Sequence, residues 1–322
     1  MGNPLVSVVI PTYNRAGIIS RTIDDIFRQT YRNFELIVVD DGSTDETQSV
    51  LKRYGDRIRV LTQDNAGPAV ARNRGARAGH GEIIAFQDSD DSWHPTKLAR
   101  QVALLEMDKS IPCCLCNVLM RLVDGKPFTS FDHSLVRPEH AEGIWLNVLD
   151  VLTTRFVLFN QAAAIRRWAF EKARGFPEDL KYLEDYDLPL RLSLQGPWTF
   201  IREPLVTYGE SSPTSFSERA KKESAILREC EATIYERILA TSEGIGLNRN
   251  ARRNLRRRLR SVQVRIRAAQ LMQARSPVSR FFGKSLIKRD RYLLAAYRRS
   301  PWFPQALTTP VEALRAAQAP AA

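Results

Sequence analysis

Cysteines are few in this sequence, and long apolar runs are missing. The 322 residues include four cysteines, three of them in the apolar stretch CCLC at 113–116. Four cysteines make no disulfide framework, and a single cluster offers no second half of a metal site, so we expect buried, reduced thiols. No segment approaches the roughly 18 consecutive apolar residues of a membrane span. The opening MGNPLVSVVIPTYN lacks the charged and apolar regions of a signal peptide, so we expect a cytoplasmic protein.

Acidic residues are scarce in the last third of the chain. Residues 218–322 hold 23 Lys and Arg against 8 Asp and Glu, whereas residues 1–217 hold 25 against 28. The net charge of +12 therefore belongs to the C-terminal part. This asymmetry predicts a nearly neutral catalytic or binding domain over 1–217 and a basic helical extension over 218–322 that meets an anionic partner.

Two periodicities alternate over the first hundred residues. Helix patterns include Ile19, Ile23 and Ile26 on one face, a capping box from Ser43 to Glu46, and residues 68–79 ending on glycine. Short β-branched runs, typical of strands buried on both faces, alternate with them: VSVVI (6–10), FELIVVD (34–40), IRVLT (58–62) and EIIAF (82–86). This alternation predicts an α/β fold with a mostly parallel sheet flanked by helices. After residue 110 we expect a strand at 113–123, a helix at 143–152 and a strand at 159–167.

Three polar loops follow the predicted strands. They read PTYN (11–14), DDGSTD (40–45) and DSDD (88–91), and the carboxyl ends of parallel strands should bring them to one edge of the sheet. Clustered carboxylates repel one another unless a cation is bound, and hard oxygen ligands favour Mg²⁺ or Mn²⁺. The alternative is that Asp88 or Asp91 merely caps the following helix.

Four segments occur in an order and spacing that resemble one known family. VSVVIPTYNR, LIVVDDGSTDET, NAGPAVARNRGARAGHGEIIAFQDSDDSWHPTKL and LEDYDLPLRL are similar to the motifs of family 2 glycosyltransferases with the GT-A fold, densely over 5–110 and again over 160–195. The resemblance implies a Rossmann-like sheet, with a nucleotide-sugar-binding half at 1–110 and an acceptor half at 111–217. It also implies an inverting enzyme that uses a nucleotide-diphospho-sugar and one Mg²⁺ or Mn²⁺ ion.

The resemblance assigns the base-binding pocket to individual positions. It implies that Pro11 and Tyr13 hold the nucleotide base, with the tyrosine ring stacked on it. Asp41 would accept a hydrogen bond from the imide N–H of a uracil-like ring, while a helix N-cap or turn aspartate is the competing interpretation. Asn65 and Arg72 match positions that line the nucleotide pocket, while a solvated helix arginine is the competing interpretation of Arg72.

The DSDD segment supplies the metal site that the resemblance implies. Asp90 matches the ligand of the metal and ribose, Asp88 matches the first acid of the DxD motif, and Ser89 lies between them in the donor-binding set. Asp91 is expected to be the bystander of the three acids. Many relatives carry a histidine near the segment YGES (208–211) that helps to bind the metal or diphosphate, and its absence here leaves the third protein ligand open.

The segment LEDYDL (183–188) contains the acid that, by the resemblance, would be the catalytic base. Inverting transfer needs a carboxylate that takes the proton from the acceptor hydroxyl as its oxygen attacks the anomeric carbon, and Asp185 matches that acid. Glu184 and Asp185 could also be first-turn acids that the helix dipole favours, and both interpretations can hold together. Arg191 is expected to form an ion pair with Asp187.

The expected activity is the addition of a single sugar, because the QxxRW signature of processive polymer synthases is missing. The donor is expected to be a UDP-sugar, and the acceptor a hydroxyl of a glycolipid, a lipid-linked sugar or a surface glycan. A non-catalytic nucleotide-sugar-binding protein and a sugar nucleotidyltransferase are the alternatives. The latter should carry a glycine-rich basic signature straight after its first strand, and PTYNRAGI is not one.

The basic C-terminal part suits an anionic surface. Apolar residues repeat along 255–269 between arginines, and SRFFGKSLIKRDRYLLAAYRRSPWF (279–303) mixes aromatic, leucine and basic residues. Helices of this kind suit the inner face of a cell membrane, each cation near it contributing about 1 kcal/mol. Packing on the catalytic domain or oligomerisation is the alternative, whereas nucleic-acid binding is not expected because no recognisable module is present.

Overall fold

One mixed sheet dominates the fold. The computed structural model describes residues 3–121, 125–209, 222–241, 246–273, 277–298 and 304–311. The strands in these ranges are β1 (Val6–Thr12), β2 (Phe34–Asp40), β3 (Arg59–Thr62), β4 (Ile83–Phe86), β5 (Ser92–Trp93), β6 (Cys113–Arg121), β7 (Pro127–Thr129), β8 (Glu142–Trp145), β9 (Ala163–Arg166), β10 (Trp198–Thr207) and β11 (Thr308–Pro310). Their order is β11-β8-β10-β6-β9-β4-β1-β2-β3, with β5 paired to β10 and β7 paired to β6.

Helices connect and flank these strands. In chain order they are α1 (Ile19–Phe27), α2 (Thr47–Lys52), α3 (Pro68–Ala78), α4 (Lys97–Leu105), α5 (Ser130–His133), α6 (Val148–Leu152), α7 (Arg167–Lys172), α8 (Glu184–Ser193), α9 (Ser224–Thr241), α10 (Arg249–Gln273) and α11 (Pro277–Arg298). The strands β3, β2, β1 and β4 are parallel neighbours, which confirms the predicted parallel sheet. β9 runs antiparallel between β4 and β6, and β10 runs parallel to β6.

Burial explains why β1, β2 and β4 could be recognised, whereas β3, which was also expected to be buried on both faces, is largely exposed. Every residue of β1 is buried, and Val8, Val9 and Ile10 are inaccessible to solvent because helices cover both faces of the sheet. The cysteines of β6 are buried and free, as predicted. Burial raises the pKa of the Cys114 thiol to about 12, which keeps it protonated and unreactive at neutral pH.

The helix predicted at 143–152 is wrong over its first half. Residues 142–145 form β8, which pairs with β10 on one side and with β11 on the other. A side chain at Gly143 would collide with the carbonyl oxygen of Thr309, so the glycine lets the two backbones approach. The pattern failed because the partner strands β10 and β11 lie more than 50 and more than 150 residues further along the chain.

The capping box predicted from Ser43 to Glu46 does not form as expected. The N-cap residue Glu46 makes no side-chain capping hydrogen bond, and the amide of Thr47 donates to Asp45 Oδ1, in the turn before α2, at 3.0 Å. The hydroxyl of Ser43 accepts a hydrogen bond from the amide of Asn14, in the loop after β1, at 2.9 Å. Ser43 therefore joins two loops at the sheet edge instead of serving its own helix.

The basic C-terminal part packs on the preceding residues. Ile234, Tyr235 and Ile238 of α9 and Leu255 and Val262 of α10 are buried in the same core cluster as the sheet. The packing alternative therefore describes α9 and α10, while the boundary near residue 217 stays a prediction because residues 210–221 lie outside the described ranges. Among the described helices, none combines the length and apolarity needed to cross a membrane.

Candidate active site

The loops after β1, β2 and β4 meet at one edge of the sheet, as predicted. Asn14, in a left-handed conformation with φ of 52°, accepts a hydrogen bond from the Thr44 amide at 2.8 Å and so ties the first loop to the second. The first helix then reaches the third loop, because Arg21 donates to the carbonyl of Asp90 at 3.2 Å and Thr22 donates to the carbonyl of Ser89 at 2.9 Å. These backbone contacts hold the DSDD segment against α1.

Asp41 is buried and its carboxylate is fully engaged with neighbouring groups. The side chain of Gln63 and the amide of Ala66 donate to Oδ1 at 2.7 and 2.8 Å, and the amide of Gly67 donates to Oδ2 at 2.9 Å. Asn65 donates from its side chain to the Asp41 carbonyl at 3.0 Å. Both residues therefore order the turn that leads into α3, and their predicted contact with the nucleotide stays a prediction.

The two residues of the first loop that were predicted to hold the nucleotide base differ in their exposure to solvent. Pro11 is buried within β1, whereas Tyr13 is 40% exposed beyond the end of the strand. An exposed ring at the mouth of three converging loops has a free face on which a base can stack. Stacking on Tyr13 remains a prediction.

The acidic side chains of the DSDD segment lie close to one another. Burial and the charge of Asp88 raise the pKa of Asp90, although Arg15 lies 3.5 Å from it and opposes the shift. Asp91 is almost fully buried and accepts a hydrogen bond from the Gly209 amide at 2.7 Å. Gly209 also has no room for a side chain, which would collide with the Asp90 carbonyl. Asp91 thus fixes the loop, and its place as the bystander of the three acids stays a prediction.

Arg72 connects this loop to the predicted base. It is only 5% exposed, and its guanidinium donates to Asp88 at 2.6 Å and to Glu184 at 3.1 Å. Phe176 packs against the same guanidinium at 5.5 Å. The alternative of a solvated helix arginine is therefore wrong, because Arg72 forms a buried bridge between α3, the DSDD loop and α8.

Asp185 lies in the first turn of α8, beside Glu184. Burial, followed by the charges of Glu184 and Asp88, raises the pKa of Asp185 to about 8, while Arg72 opposes the shift. The preceding residue, Leu183, has left-handed dihedral angles (φ 68°, ψ 24°), which cost a non-glycine residue on the order of 1 kcal/mol. A carboxylate with a raised pKa on a strained helix start is a good candidate for a general base.

Contacts with neighbouring segments hold the rest of α8 and the segment before it in place. Asp187 is fully buried and forms the predicted ion pair with Arg191, while Arg237 of α9 lies 3.8 Å from its other oxygen. Asn73 donates to the carbonyl of Phe176 at 2.9 Å and so fixes the segment that leads to α8. Our sequence interpretation assigned no role to Asn73, although it lies within the segment NAGPAVARNRGARAG, and Arg237 lies outside the segments that carry the resemblance.

The chemistry of the DSDD acids fits a divalent cation. Asp88 and Asp90 are hard oxygen donors whose mutual repulsion a cation would relieve. In the described ranges no group of three His, Cys, Asp or Glu side chains could hold a metal ion. An ion held by these two carboxylates would take its remaining ligands from a diphosphate and water.

Comparison with known proteins finds similarity to glycosyltransferases. The family profile described as Glycosyl transferase family 2 matches residues 7–130. The Escherichia coli protein WfgD, a UDP-Glc:alpha-D-GlcNAc-diphosphoundecaprenol beta-1,3-glucosyltransferase, is 42% identical over 107 residues, which cover 33% of this chain and 42% of WfgD. Two curated relatives that are 34% identical over 192 residues are matched over 58% of their own length. The chain thus spans just over half the length of these relatives.

Solved structures share the fold. S. aureus TarS 1–349 in complex with UDP-GlcNAc matches with a TM-score of 0.64 and 16% identity over 91% of both chains. The mannosyltransferase PcManGT from Pyrobaculum calidifontis, in complex with GDP-Man and Mn²⁺, matches with a TM-score of 0.54 and 20% identity over 92% of this chain and 86% of that one. This protein therefore shares the GT-A fold of these structures, and its residues 7–130 match the glycosyl transferase family 2 profile.

Proposed function

We propose that this protein is an inverting glycosyltransferase that moves one sugar from a UDP-sugar to a hydroxyl of a lipid-linked or surface-glycan acceptor. The observation that carries the proposal is the Arg72 bridge, which joins the DSDD loop to the helix start that bears Asp185. A donor site and a base held on one rigid support suit a direct displacement. The name of WfgD records a UDP-Glc donor, and TarS 1–349 was solved in complex with UDP-GlcNAc; both support the choice of nucleotide.

The residues divide the work of the reaction. Asp185 accepts the proton of the acceptor hydroxyl while that oxygen attacks the anomeric carbon from the face opposite the nucleotide. Asp88 and Asp90 would hold Mg²⁺ or Mn²⁺, which when bound neutralises the charge of the leaving diphosphate. Arg15, beside Asp90, is placed to add a second positive charge there. The Asp91–Gly209 contact keeps the loop in place.

The two rival functions lack a comparable observation. A protein that only binds nucleotide sugars has no use for a strained helix start that presents Asp185 with a raised pKa. A sugar nucleotidyltransferase should carry a glycine-rich basic segment after β1, and residues 11–18 read PTYNRAGI. Transfer of a sugar therefore explains more of the site.

A screen of UDP-, GDP- and dTDP-sugars against thermal unfolding tests the donor assignment. With Mn²⁺ and a UDP-sugar at 100 times its dissociation constant, we expect the melting temperature to rise by about 5 °C, because the bound donor stabilises only the folded chain. The other nucleotide sugars should give smaller shifts, and EDTA should abolish the shift with the UDP-sugar.

Two variants make this measurement specific. Asp90→Asn should remove most of the shift, whereas Asp56→Asn, the same change at an exposed acid outside the site, should leave it intact. Equal shifts in the presence of EDTA and of Mn²⁺ would show that the donor binds without a metal ion. A larger shift with a GDP- or dTDP-sugar would overturn the choice of uracil.

The proposal extends to a membrane partner through α11. Phe281 and Phe282 are 70% and 57% exposed, and Lys284, Lys288 and Arg291 are exposed on the same helix. Aromatic side chains beside cations suit the interface of an anionic bilayer at the inner face of a cell membrane. The apolar stripe of α10 is not available for this purpose, because Leu255 and Val262 are buried.

A flotation assay tests the membrane partner. Phe281→Ser/Phe282→Ser should lose most of its binding to vesicles of phosphatidylglycerol and phosphatidylethanolamine, since burial of each ring contributes roughly 1.5–3 kcal/mol. Trp168→Ser, which removes a 40% exposed aromatic from α7, is the matched control and should float like the wild type. Failure of the wild type to float at physiological salt would end the membrane proposal without touching the transferase proposal.

A further inference from the structure

Two arginines of the C-terminal helices contact the turn of α8 that bears Asp185. Arg258 of α10 lies over the ring of Tyr186, with 5.6 Å between its guanidinium carbon and the centre of the ring. Arg237 of α9 lies 3.8 Å from an oxygen of Asp187. Tyr186 and Asp187 are the two residues that follow Asp185 in the chain. α9 and α10 therefore reach the part of α8 that carries the predicted base.

Arg258 is fixed where three helices meet. Its guanidinium also faces the ring of Tyr235 in α9 at 5.3 Å, and it pairs with Glu231 of α9 at 3.1 Å. The Tyr235 hydroxyl donates to the same carboxylate at 2.6 Å. Tyr186 and Tyr235 are both buried, and their rings meet edge to face with centres 6.1 Å apart. Because two aromatic faces and a carboxylate all attract its charge, Arg258 gives the Tyr186 ring a fixed place between α8 and α9.

The first turn of α8 has little backbone support of its own. Its N-cap residue, Leu183, makes no side-chain capping hydrogen bond and has left-handed dihedral angles. Pro189 lies inside the helix and has no N–H, so the carbonyl of Asp185 receives no hydrogen bond from the next turn. Since this hydrogen bond is missing at Asp185 itself, the orientation of the predicted base depends on what packs against the residues beside it.

We propose that Arg258 is a positioning residue of the transferase, which holds the first turn of α8 through the Tyr186 ring and so keeps Asp185 aimed at the acceptor hydroxyl. This role rests on the proposed function, in which Asp185 is the base. It gives α10 a part in the reaction that is separate from the membrane contact proposed for α11. Arg237 supports the same turn more weakly, because 3.8 Å separates it from Asp187.

Transfer by the full chain from a UDP-sugar to a short-chain prenyl-diphospho-N-acetylglucosamine tests this role. Arg258→Met keeps the apolar stem and removes the guanidinium, so kcat should fall about tenfold because the base is displaced, while KM for the donor stays within about twofold. Arg265→Met, the matched control, breaks an ion pair of the same helix with Asp290 of α11 at 2.9 Å and should leave kcat within about twofold. Calorimetric titration with the donor counts the folded sites, so loss of stability alone would not lower kcat.

Two further variants separate positioning from loss of the fold. Arg258→Lys retains a cation beside both rings and should recover about a third or more of the wild-type kcat. Tyr186→Leu removes the ring, and its effect on kcat should not add to that of Arg258→Met, because both substitutions break one contact. Glu231→Gln, a smaller change that loosens Arg258, should lower kcat about threefold even if Arg258→Met folds poorly.

Hydrogen exchange measures the contact without any substrate. The amides of Tyr186 and Asp187 both donate to the carbonyl of Leu183 at 3.0 Å. They should exchange about tenfold faster in Arg258→Met than in Arg265→Met, because the turn opens more often when the ring is no longer held.

The outcomes separate this role from the transferase proposal. A kcat of Arg258→Met as high as that of Arg265→Met would overturn the positioning role and leave the transferase proposal standing. Additive losses in Arg258→Met/Tyr186→Leu would also overturn it. Failure of the wild type to transfer sugar from any UDP-, GDP- or dTDP-sugar would overturn the transferase proposal, and with it the role in catalysis, even where the exchange rates confirm the contact between α10 and α8.

Discussion

Asp185→Asn is expected to lower the rate of sugar transfer by about 10²- to 10⁴-fold while donor affinity stays within about twofold of the wild type. The substitution keeps the shape of the side chain and removes its ability to accept a proton. Asp88, Asp90 and Arg72 are untouched, so the donor site should persist. The measurement pairs kcat for transfer from a UDP-sugar with calorimetric donor binding, and Asp56→Asn serves as the matched control.

The pH profile gives an independent test of the same residue. Because the pKa of Asp185 is raised to about 8, the basic form is depleted as the pH falls below that value, and kcat/KM should fall with it. Glu184→Gln removes the nearest like charge and should move this acid limb to lower pH. Transfer by Asp185→Asn at the wild-type rate, or an acid limb that Glu184→Gln leaves in place, would show that another group is the base.

Arg72→Gln is expected to lower the free energy of unfolding by roughly 3–5 kcal/mol and to weaken donor binding. Both acids that it bridges lose their partner, and Glu184 is left buried and unbalanced because only 8% of its side chain is exposed. Asp88 would also be free to turn away from the cation site. Urea denaturation measures the first effect, and calorimetric titration with a UDP-sugar and Mn²⁺ measures the second.

A second substitution separates charge balance from packing. Arg72→Gln/Glu184→Gln removes both members of the buried pair and should recover part of the stability, which a double-mutant cycle quantifies. Arg77→Gln, an exposed arginine on the same helix with a weak surface ion pair at 3.4 Å, should cost less than about 1 kcal/mol. A loss in Arg72→Gln no greater than that of Arg77→Gln would contradict the bridging role.

The strands and loops of the first half could be predicted because their signals are local. Strands buried on both faces read as continuous β-branched runs, and the DDGSTD and DSDD segments follow them directly. The carboxyl ends of parallel strands must share an edge, so convergence of the loops followed from the strand order alone. The ion pair between Asp187 and Arg191 followed from their spacing on one helix face.

The second half was harder to predict, because its strands pair with segments that are distant in the chain. Residues 142–145 carry apolar residues that suit a helix as well as a strand, and pairing with β10 and β11 decided between them. Arg72 could not be distinguished from a surface arginine by its helix alone. Its two acidic partners come from segments 16 and 112 residues further along the chain.

The sequence by itself determined the α/β fold class, the three loops at the sheet edge and the acids that those loops present. These features depend on hydrophobic period and on residues adjacent in the chain. Only the tertiary structure decided that Arg72 joins the DSDD loop to Glu184 and that α9 and α10 pack into the same core as the sheet. Side chains from separate elements create these features, and the free energy of each contact depends on burial that no local pattern records.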